Sequence, residues 1–441
     1  MSNLCKGLSW ECFKYYFATK EFLMAKHVVD LFAGCGGLSL GLEKAGFKPV
    51  FVNELNKDAM SSYLRNRKEE HPELSHQEFH AYDIKDFVNK NNSIKDLKSN
   101  LKAVHGLDAE NGELDLLVGG PPCQGFSGIG HRRSFSVDKC DLPSNHLYQD
   151  MAWMVHNLNP KIFLFENVKG LLSSRWTKQG VKGEIFKDVV ESFGSLRNYH
   201  IQHALIHAKD YGTPQNRPRV LLVGVRKDID LKAWIDEDSG VANGFLPKPT
   251  NNPPDLIDLL GDLVNPNFAY GGSDEKYLNS ITNDIQRYFR TRPDGSLMPK
   301  NSKLTDQEYS NHSLKVIKKF EYMLENNGLI SEEFRTKKFA QRLLPKRWDP
   351  KIGPNITATS LADDYVHFSQ ARVLTVREWA RLQGFPDWYE FSGKRTTGGL
   401  RRAGNPKLGI FDRELPKYTQ IGNAVPVFLA EKLGEHFNLI L

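Results

Sequence analysis

Residues 28–37 read VVDLFAGCGG, and this stretch decides the fold. Its first half is a short apolar run, its second half is a glycine-rich turn, and residues 38–46 continue with apolar positions at helical spacing. A second apolar run, residues 49–53, follows and ends on Glu54. Because strand, helix and strand follow one another closely, the sequence predicts a parallel, doubly wound α/β sheet.

The glycine-rich turn predicts a nucleoside-type ligand at the ends of the first two strands. Gly34 and Gly36 let a ligand approach the backbone, and the start of the following helix offers unpaired N–H groups. Glu54 lies about 20 residues after the turn, where an acid commonly binds a ribose diol. The dinucleotide fingerprint GxGxxG fails because its third position is Ser39, and GxxxxGK[ST] is absent from the sequence. Asp83 is a candidate acceptor for an adenine amino group, although either acid alone could be an ordinary strand-end carboxylate.

A cysteine and a glutamate follow two later apolar runs. Residues 119–127 read GGPPCQGFS, so Cys123 follows a predicted strand on a turn that two prolines stiffen. Glu166 follows the run KIFLF and is expected at the same carboxyl edge of the sheet. Reactive groups of α/β folds lie at this edge, whereas a lone cysteine beside a turn is more commonly a small buried residue.

Composition limits the class of protein. A chain of 441 residues with 40% hydrophobic residues is long enough for one large α/β domain and a smaller second unit. The sequence has no apolar run of 18 residues, which predicts no membrane span, and its first 26 residues do not resemble a signal peptide. The five cysteines form no CxxC pair, which argues against zinc and for a reducing, cytoplasmic compartment. We therefore expect no metal.

Positive charge is concentrated in one segment. From Arg287 to Lys351 the chain has 15 Lys and Arg against eight Asp and Glu, while the net charge of the whole chain is +6. This basic segment fits a phosphate-bearing partner, and the alternative is an ordinary solvated face. Residues 393–407 form a second basic, glycine-rich stretch.

Local signals predict helices in the C-terminal half. Residues 313–327 have a capping serine and a terminating glycine, and residues 331–344 have a similar pattern that ends before a proline. Thr375 is the predicted N-cap of a helix in the segment LTVREWARLQGFP. Prolines from residue 247 to 254 mark a boundary after the first α/β part.

The full set of motifs resembles the DNA (cytosine-5) methyltransferase family of bacterial restriction–modification type. The motifs are DLFAGCGG, the acid after the second strand, GGPPCQGFS, FLFENV, QNRPR, LTVREWARLQGFP and QIGNAVP, and they occur in the family's order. The resemblance covers roughly residues 28–228 and 354–441. It implies a Rossmann-like, S-adenosylmethionine-dependent methyltransferase sheet with a smaller target-recognition domain. The implied division is an extension at 1–26, a catalytic domain at 27–228 completed by 408–441, and a recognition domain at 229–407.

The resemblance also implies a role for individual residues. Cys123 matches the nucleophile that adds to C6 of a flipped-out cytosine, and Glu166 matches the acid that hydrogen-bonds or protonates N3. Arg219, and less directly Arg217, match the arginines that hold the base and the catalytic loop. The residues that match the S-adenosylmethionine pocket are Phe32, Gly34, Gly36, Glu54, Asp83, Ile84, Pro122, Leu147 and Asn423.

The expected partner is double-stranded DNA, bound by a monomer. The sequence leaves three settings open, namely a cognate restriction endonuclease that acts on the same site, another phage-defence system, or a solitary enzyme. A tRNA cytosine-5 methyltransferase would share the PPCQ and ENV strings, but those relatives carry a further cysteine motif, and this chain has no cysteine after Cys140. An inactive DNA-binding homologue typically lacks the nucleophile or the glutamate, and both are present here. The sequence therefore favours an active DNA methyltransferase.

Overall fold

The computed structural model describes residues 26–122, 138, 140, 142–230, 244–249, 253–335, 340–351, 353–356, 361–397 and 414–441. Cys123 lies outside the described residues, as do residues 1–25 of the predicted extension and residues 398–407 of the predicted basic stretch.

Within this described part, seven strands form one sheet in the order β3-β2-β1-β4-β5-β7-β6. All neighbouring pairs from β3 to β5 are parallel, whereas β7 runs antiparallel to both β5 and β6. The chain reverses its direction of winding between β1 and β4, which creates a crevice at the carboxyl ends of these strands. The predicted doubly wound α/β sheet is confirmed. The strands are β1 Lys26–Leu31, β2 Phe47–Asn53, β3 His80–Ala81, β4 Leu116–Gly119, β5 Ile162–Val168, β6 Tyr199–His207 and β7 Pro218–Arg226.

Helices cover both faces of the sheet and continue through the C-terminal half. They are α1 Gly37–Lys44, α2 Lys57–Arg65, α3 Lys85–Val88, α4 Asn91–His105, α5 Leu147–Leu158, α6 Glu184–Gly194, α7 Leu256–Leu260, α8 Asp284–Phe289, α9 Leu314–Glu325, α10 Leu361–Asp364, α11 Val376–Leu382, α12 Lys417–Asn423 and α13 Val427–Ile440. Short 3-10 turns connect several of these helices and strands.

Neighbouring residues of the central strands point into two separate cores. Val29 and Leu117 join a hydrophobic cluster with α4, α5 and α6, whereas Val28 and Leu116 join a cluster with α1 and α13. Strands that are buried on both faces need continuous apolar runs, which is why the sequence shows runs rather than alternation. Helices α1 and α13 approach closely at Gly41, where a Cβ atom would lie 2.4 Å from the Ala430 Cβ.

A third hydrophobic cluster occupies the C-terminal half and also includes residues of α1. It joins α7, α8 and α11 to Leu40 and Cys35 on one side and to α12 on the other. The segment that the sequence assigned to a recognition domain thus packs against the helix that follows the glycine-rich turn. The division into domains at residues 228 and 407 stays a prediction.

Two local predictions are confirmed and one is wrong. Helix α9 follows Ser313, and α11 has a capping box in which Thr375 and Glu378 exchange side-chain bonds with each other's backbone N–H. The predicted helix over 331–344 is wrong, since Glu332–Phe334 form a 3-10 turn and Arg342–Leu343 form strand β8. Strand β8 pairs with β9 (Tyr365–Val366), so a distant partner overrides the local helical pattern. None of the helices described is long and apolar enough to cross a bilayer.

Candidate active site

Asn53 ties together the carboxyl ends of three strands. Its side-chain amide donates to the carbonyl oxygens of Ala81 and Tyr82 at 3.1 and 3.0 Å, and its Oδ1 accepts from the Phe32 N–H at 3.4 Å. Phe32 has a φ of 57°, in the left-handed region that a residue with a Cβ rarely adopts. The buried amide therefore holds an unusual backbone shape at the predicted ligand crevice. Sequence reasoning missed Asn53, although a polar residue that ends an apolar run could have signalled it.

Glu54 lies half-buried directly after β2 and is fixed by two backbone N–H groups. Gly34 N–H donates to its Oε2 at 2.9 Å, and Asn56 N–H donates to its Oε1 at 2.7 Å. Burial raises the pKa of Glu54, while these two N–H groups act to lower it. Each oxygen keeps a free lone pair, so the carboxylate is fixed in orientation and can accept from a pair of hydroxyl groups.

The two glycines of the predicted pocket differ in their surroundings. Gly34 has a φ of +58°, and a Cβ atom built on it would have no heavy atom of the described residues within 4 Å. Gly36 has a φ of +87°, but its Cβ would meet Arg67, Tyr389 and Tyr63 at 2.8 Å each. The Gly36 N–H is also used, since it donates to the Ala33 carbonyl at 2.9 Å. Among the described residues, Gly34 thus faces open space, whereas Gly36 is a packing position on the side where a Cβ would lie. The predicted contacts of both glycines with the cofactor stay predictions.

The other predicted cofactor residues divide into apolar and exposed positions. Phe32, Ile84 and Leu147 belong to or pack against the same hydrophobic cluster, so they are available as one apolar wall. Asp83 and Asn423 are exposed, and Asp83 Oδ1 accepts from the Lys85 N–H at 2.9 Å. Pro122 is exposed next to buried Pro121. Their roles in binding stay predictions.

Glu166 and Arg219 form a buried ion pair at the same sheet edge. Glu166 is 8% exposed and Arg219 is 7% exposed, and the Arg219 Nε contacts the Glu166 Oε1. Glu166 lies within β5 rather than after it, because β5 continues to Val168 and pairs with β7. Burial lowers the pKa of Arg219, and the Glu166 carboxylate opposes this effect. The antiparallel register therefore fixes both charged side chains on adjacent strands.

The segment that precedes Cys123 lies against Glu166. A Cβ atom on Gly120 would lie 2.8 Å from the Glu166 Oε2. Asn167, which is buried, donates from its Nδ2 to the Pro121 carbonyl at 3.1 Å. Glu166 and Asn167 of the ENV motif thus contact Gly120 and Pro121, which come shortly before the predicted nucleophile. This backbone proximity brings the predicted acid and the start of the predicted catalytic loop to one location.

Arg217 contacts backbone rather than an acid. Its Nη1 donates to the Ile356 carbonyl at 2.8 Å and its Nη2 donates to the Gly422 carbonyl at 2.5 Å. Burial lowers the pKa of Arg217, and the neighbouring charge of Arg219 lowers it further. Arg217 therefore joins three segments distant in sequence, and its predicted contact with the base stays a prediction.

A pair of buried glutamines links the QNRPR motif to the LTVREWARLQGFP and QIGNAVP motifs. Gln215 Nε2 donates to the Gln383 side chain and to the Leu382 carbonyl. Gln383 Nε2 in turn donates to the carbonyl oxygens of Ile421 and Ala424 at 2.6 and 3.0 Å. Sequence reasoning did not assign a role to Gln383, because its partners are more than 35 positions away.

A family model described as C-5 cytosine-specific DNA methylase matches residues 26–438. The chain belongs to this family. It is a DNA cytosine-5 methyltransferase, and methyltransferases of this family generally depend on S-adenosylmethionine.

Named relatives agree with the family assignment. The type II methyltransferase M.DdeI of Desulfomicrobium norvegicum is 29% identical over 429 residues, which cover 93% of this chain and 88% of that protein. The type II methyltransferase M.BspRI of Lysinibacillus sphaericus is 30% identical over 439 residues, covering 93% of this chain and 80% of that protein. A crystal structure of a prophage-encoded DNA modification methyltransferase from E. coli has a TM-score of 0.61 at 23% identity, covering 94% of this chain and 99% of that one, and it shows a shared fold.

The basic segment of this methyltransferase is less available to DNA than its charge count indicates. Arg290 is fully buried and pairs with Asp262 at 3.2 Å, and Lys319 is buried with its Nζ on the Gln341 side chain. In the second basic stretch, Lys394 pairs with Glu414 at 3.1 Å. Part of the positive charge therefore stabilises the fold. The exposed cations of the basic segment include Arg287, Lys300, Lys303, Lys315, Lys318, Lys346, Arg347 and Lys351.

One group in the described part of the chain has its potential metal-ligand atoms close together, namely Glu43, Glu70 and His71. Glu43 already forms an ion pair with Arg67, so a protein cation occupies its carboxylate. The group lies away from Glu166 in sequence.

Proposed function

We propose that this methyltransferase modifies C5 of a flipped-out cytosine in duplex DNA, with Cys123 as the nucleophile and with Glu166 and Arg219 acting on the ring. The single observation that carries this mechanism is the contact between the ENV motif and residues 120–121, which directly precede Pro122 and Cys123. A target base next to Cys123 would then be within reach of the Glu166 carboxyl group.

Cys123 supplies the electrons that cytosine lacks at C5. Its thiolate forms a bond to C6, and the electrons of the C5–C6 double bond move to C5 and into the ring. A free cysteine has a pKa of about 8.5, so only a few per cent is thiolate at pH 7, and nearby positive charge favours that form. After C5 is substituted, loss of the C5 proton to water reforms the double bond and releases the Cys123 thiolate.

Glu166 and Arg219 act on the ring as the thiolate adds. Negative charge builds at N3 and O2 of the base as sulfur adds. Glu166, which is ionised beside Arg219 before the base arrives, would take up a proton from water and donate it in a hydrogen bond to N3, while a guanidinium N–H of Arg219 meets the charge at O2. The ion pair keeps both groups in place before the base arrives, so little reorganisation is needed. Removal of one such preorganised donor commonly costs about 3 kcal/mol of transition-state stabilisation.

The crevice at β1 and β2 fits S-adenosylmethionine. The Glu54 carboxylate is fixed by two N–H groups and suits the ribose diol, and Phe32, Ile84 and Leu147 offer an apolar wall for the adenine. Open space at Gly34 and the uncapped start of α1 suit the remainder of the molecule. When bound, S-adenosylmethionine supplies a methyl group on a positively charged sulfur.

We further propose that the exposed cations between residues 287 and 351 contact the DNA backbone, and that the chain acts as a cytoplasmic monomer. The type II names of its relatives motivate a restriction–modification setting with a cognate endonuclease that recognises the same site. The target sequence would be read by the region between residues 229 and 407.

Methyl transfer from labelled S-adenosylmethionine tests the proposal. Duplex DNA should accept label in the presence of the wild-type chain, whereas tRNA should not. Cys123→Ser should abolish the transfer and retain cofactor binding. Label on tRNA alone would contradict the substrate, and near-normal turnover of Cys123→Ser would contradict the mechanism.

A further inference from the structure

Two side chains that the proposed mechanism does not use donate hydrogen bonds to carbonyl groups of the glycine-rich turn. Tyr389 Oη donates to the Cys35 carbonyl at 2.5 Å, and Arg67 Nη2 donates to the Gly36 carbonyl at 3.3 Å. Arg67 Nη1 also donates to the Tyr389 Oη at 3.1 Å. Two consecutive carbonyl groups of the turn are therefore fixed by one linked pair of side chains, which we call the brace.

The brace is buried, and its charge is compensated. Tyr389 is fully buried and Arg67 is 2% exposed. Arg67 donates from both Nε and Nη2 to the Glu43 Oε1, at 2.8 and 2.5 Å, and its guanidinium carbon lies 3.8 Å from the Tyr63 ring centre. Burial alone would lower the pKa of Arg67, but the Glu43 carboxylate holds that pKa well above its ordinary value. A buried cation with this many partners has one preferred position.

The brace packs closely against the turn. A Cβ atom on Gly36 would lie 2.8 Å from the Arg67 Nη1, the Tyr389 Oη and the Tyr63 Cδ2. The opposite side of the turn is different, because no heavy atom from the described part of the chain lies within 4 Å of a Cβ built on Gly34, and the Gly34 N–H is bonded to Glu54. The turn thus has one face fixed by protein and one face free for a ligand.

Tyr389 comes from a distant part of the chain. It is 322 positions from Arg67 and follows α11, inside the region assigned to target recognition. Phe385 and Phe391 pack around its ring at centroid distances of 4.9 and 5.6 Å. The shape of the turn therefore depends on a segment that the crevice itself does not contain.

We propose that Arg67 and Tyr389 are positioning residues for the cofactor, and that they hold the turn at residues 33–36 in the shape that binds S-adenosylmethionine. This inference rests on the proposed function, because it requires the cofactor to lie at this turn. Without the Tyr389 hydroxyl, the Cys35 carbonyl loses its donor and Arg67 loses an acceptor. The turn then populates other shapes, and cofactor affinity falls in proportion to the competent fraction.

The test compares two Tyr→Phe variants of the full chain. Tyr199 is a matched control, because it is also buried and its hydroxyl donates to the Pro160 backbone carbonyl at 2.6 Å. It begins strand β6 and so lies at the opposite edge of the sheet from the glycine-rich turn. Calorimetric titration with S-adenosylhomocysteine should give a Kd about five- to twentyfold higher for Tyr389→Phe and within about twofold of wild type for Tyr199→Phe. The KM for the cofactor should rise with the Kd, while kcat at saturating cofactor stays within about threefold of wild type.

Three results would overturn the inference. An unchanged Kd in Tyr389→Phe would show that the hydroxyl does not set the shape of the turn. Equal losses of affinity in both variants would show general destabilisation, which parallel melting curves would reveal. A wild-type chain that does not bind S-adenosylhomocysteine would remove the proposed cofactor site and the brace's role with it. If Tyr389→Phe does not fold, Arg67→Lys provides the same test, since lysine keeps the charge near Glu43 but cannot reach both the turn and Tyr389.

Discussion

Substitution of Gly120 by alanine separates catalysis from folding in this methyltransferase. The new Cβ would lie 2.8 Å from the Glu166 Oε2, whereas ordinary contact begins near 3.4 Å, so the carboxylate must move by about 0.6 Å. The displaced atom is the far end of a side chain rather than backbone, and Gly120 has no left-handed φ, so the backbone can accept the alanine. We expect the free energy of unfolding to change by less than about 1 kcal/mol.

The effect on the reaction should be larger, because Glu166 is held between Gly120 and Arg219. A displacement of about 1 Å in a catalytic group can lower a rate by roughly a hundredfold, so about 0.6 Å predicts a loss of roughly ten- to a hundredfold in kcat. This corresponds to about 1.4 to 2.7 kcal/mol of transition-state stabilisation. Single-turnover methyl transfer to duplex DNA, at saturating cofactor and DNA, measures this loss.

The matched control for this experiment is Gly194→Ala. A Cβ atom on Gly194, at the end of α6, would have no heavy atom within 4 Å in the described ranges. Gly194→Ala should retain the wild-type rate, and both variants should bind S-adenosylhomocysteine like wild type. A Gly120→Ala enzyme with the wild-type single-turnover rate would refute the argument that the Glu166 carboxylate must stay where the structure has it.

Substitutions at Asn167, in the glycine-rich turn and at His367 should each have a measurable effect. Asn167→Ala should lower kcat about tenfold and cost about 1–2 kcal/mol of stability, measured by urea unfolding, because the buried Pro121 carbonyl loses its donor. Gly34→Ala should weaken S-adenosylhomocysteine binding and lower the free energy of unfolding by about 1 kcal/mol. Gly36→Ala should lower the melting temperature far more, because its Cβ would meet Arg67, Tyr389 and Tyr63. Equal effects of both variants on binding and on melting would contradict this contrast. Burial, aided by Arg372, lowers the pKa of His367 to about 3, so the unfolded chain binds one more proton than the folded chain below pH 6.5. Relative to His367→Asn, the free energy of unfolding of wild type should therefore fall by about 1.4 kcal/mol per pH unit between pH 6.5 and 4.5. Parallel curves of unfolding free energy against pH would contradict this.

The sign of the pH effect follows from the neutral state of His367. Its Nε2 lies 3.7 Å from the Glu378 Oε1, a distance that would suit an ion pair, but the Glu378 carboxylate is already bound by both Nη groups of Arg372. The stabilising contribution is fully present above pH 6.5 and is lost as the pH falls toward 3. Burial raises the pKa of Asp30 to about 7, so the contribution of Asp30 to the free energy of unfolding changes with pH in the opposite direction. The difference between wild type and His367→Asn is therefore more informative than the wild-type curve alone.

The central sheet could be predicted from sequence because its strands are buried on both faces. Continuous apolar runs such as those of β1, β4 and β5 have few alternatives, and the glycine-rich turn between β1 and α1 fixes their order. Strand β6 was not predicted, because much of it is half-buried or exposed, and its residues alternate in a way that a loop or an edge strand can share. The wrong helix at 331–344 has the same origin, since β8 is defined by pairing with a distant segment.

The candidate site was predictable in its residue types but not in its contacts. Glu54 and Glu166 could be assigned to one sheet edge, since both follow or end apolar runs. The difference between Gly34 and Gly36 could not be predicted, because it depends on Tyr389 from far along the chain. Charge counting likewise overestimated the DNA-facing surface, because a sequence does not show that Arg290 is buried beside Asp262.

The most direct test of the central claim is to trap and locate the covalent adduct. A duplex that carries 5-fluorocytosine at the methylated position has no C5 proton to lose. In the presence of S-adenosylmethionine, the Cys123 sulfur should therefore stay bonded to C6 of this base. Peptide mass spectrometry is predicted to find the nucleotide on Cys123, with far less adduct in Glu166→Gln. An adduct on another residue, or methylation of normal DNA without any adduct on the fluorinated duplex, would contradict the account.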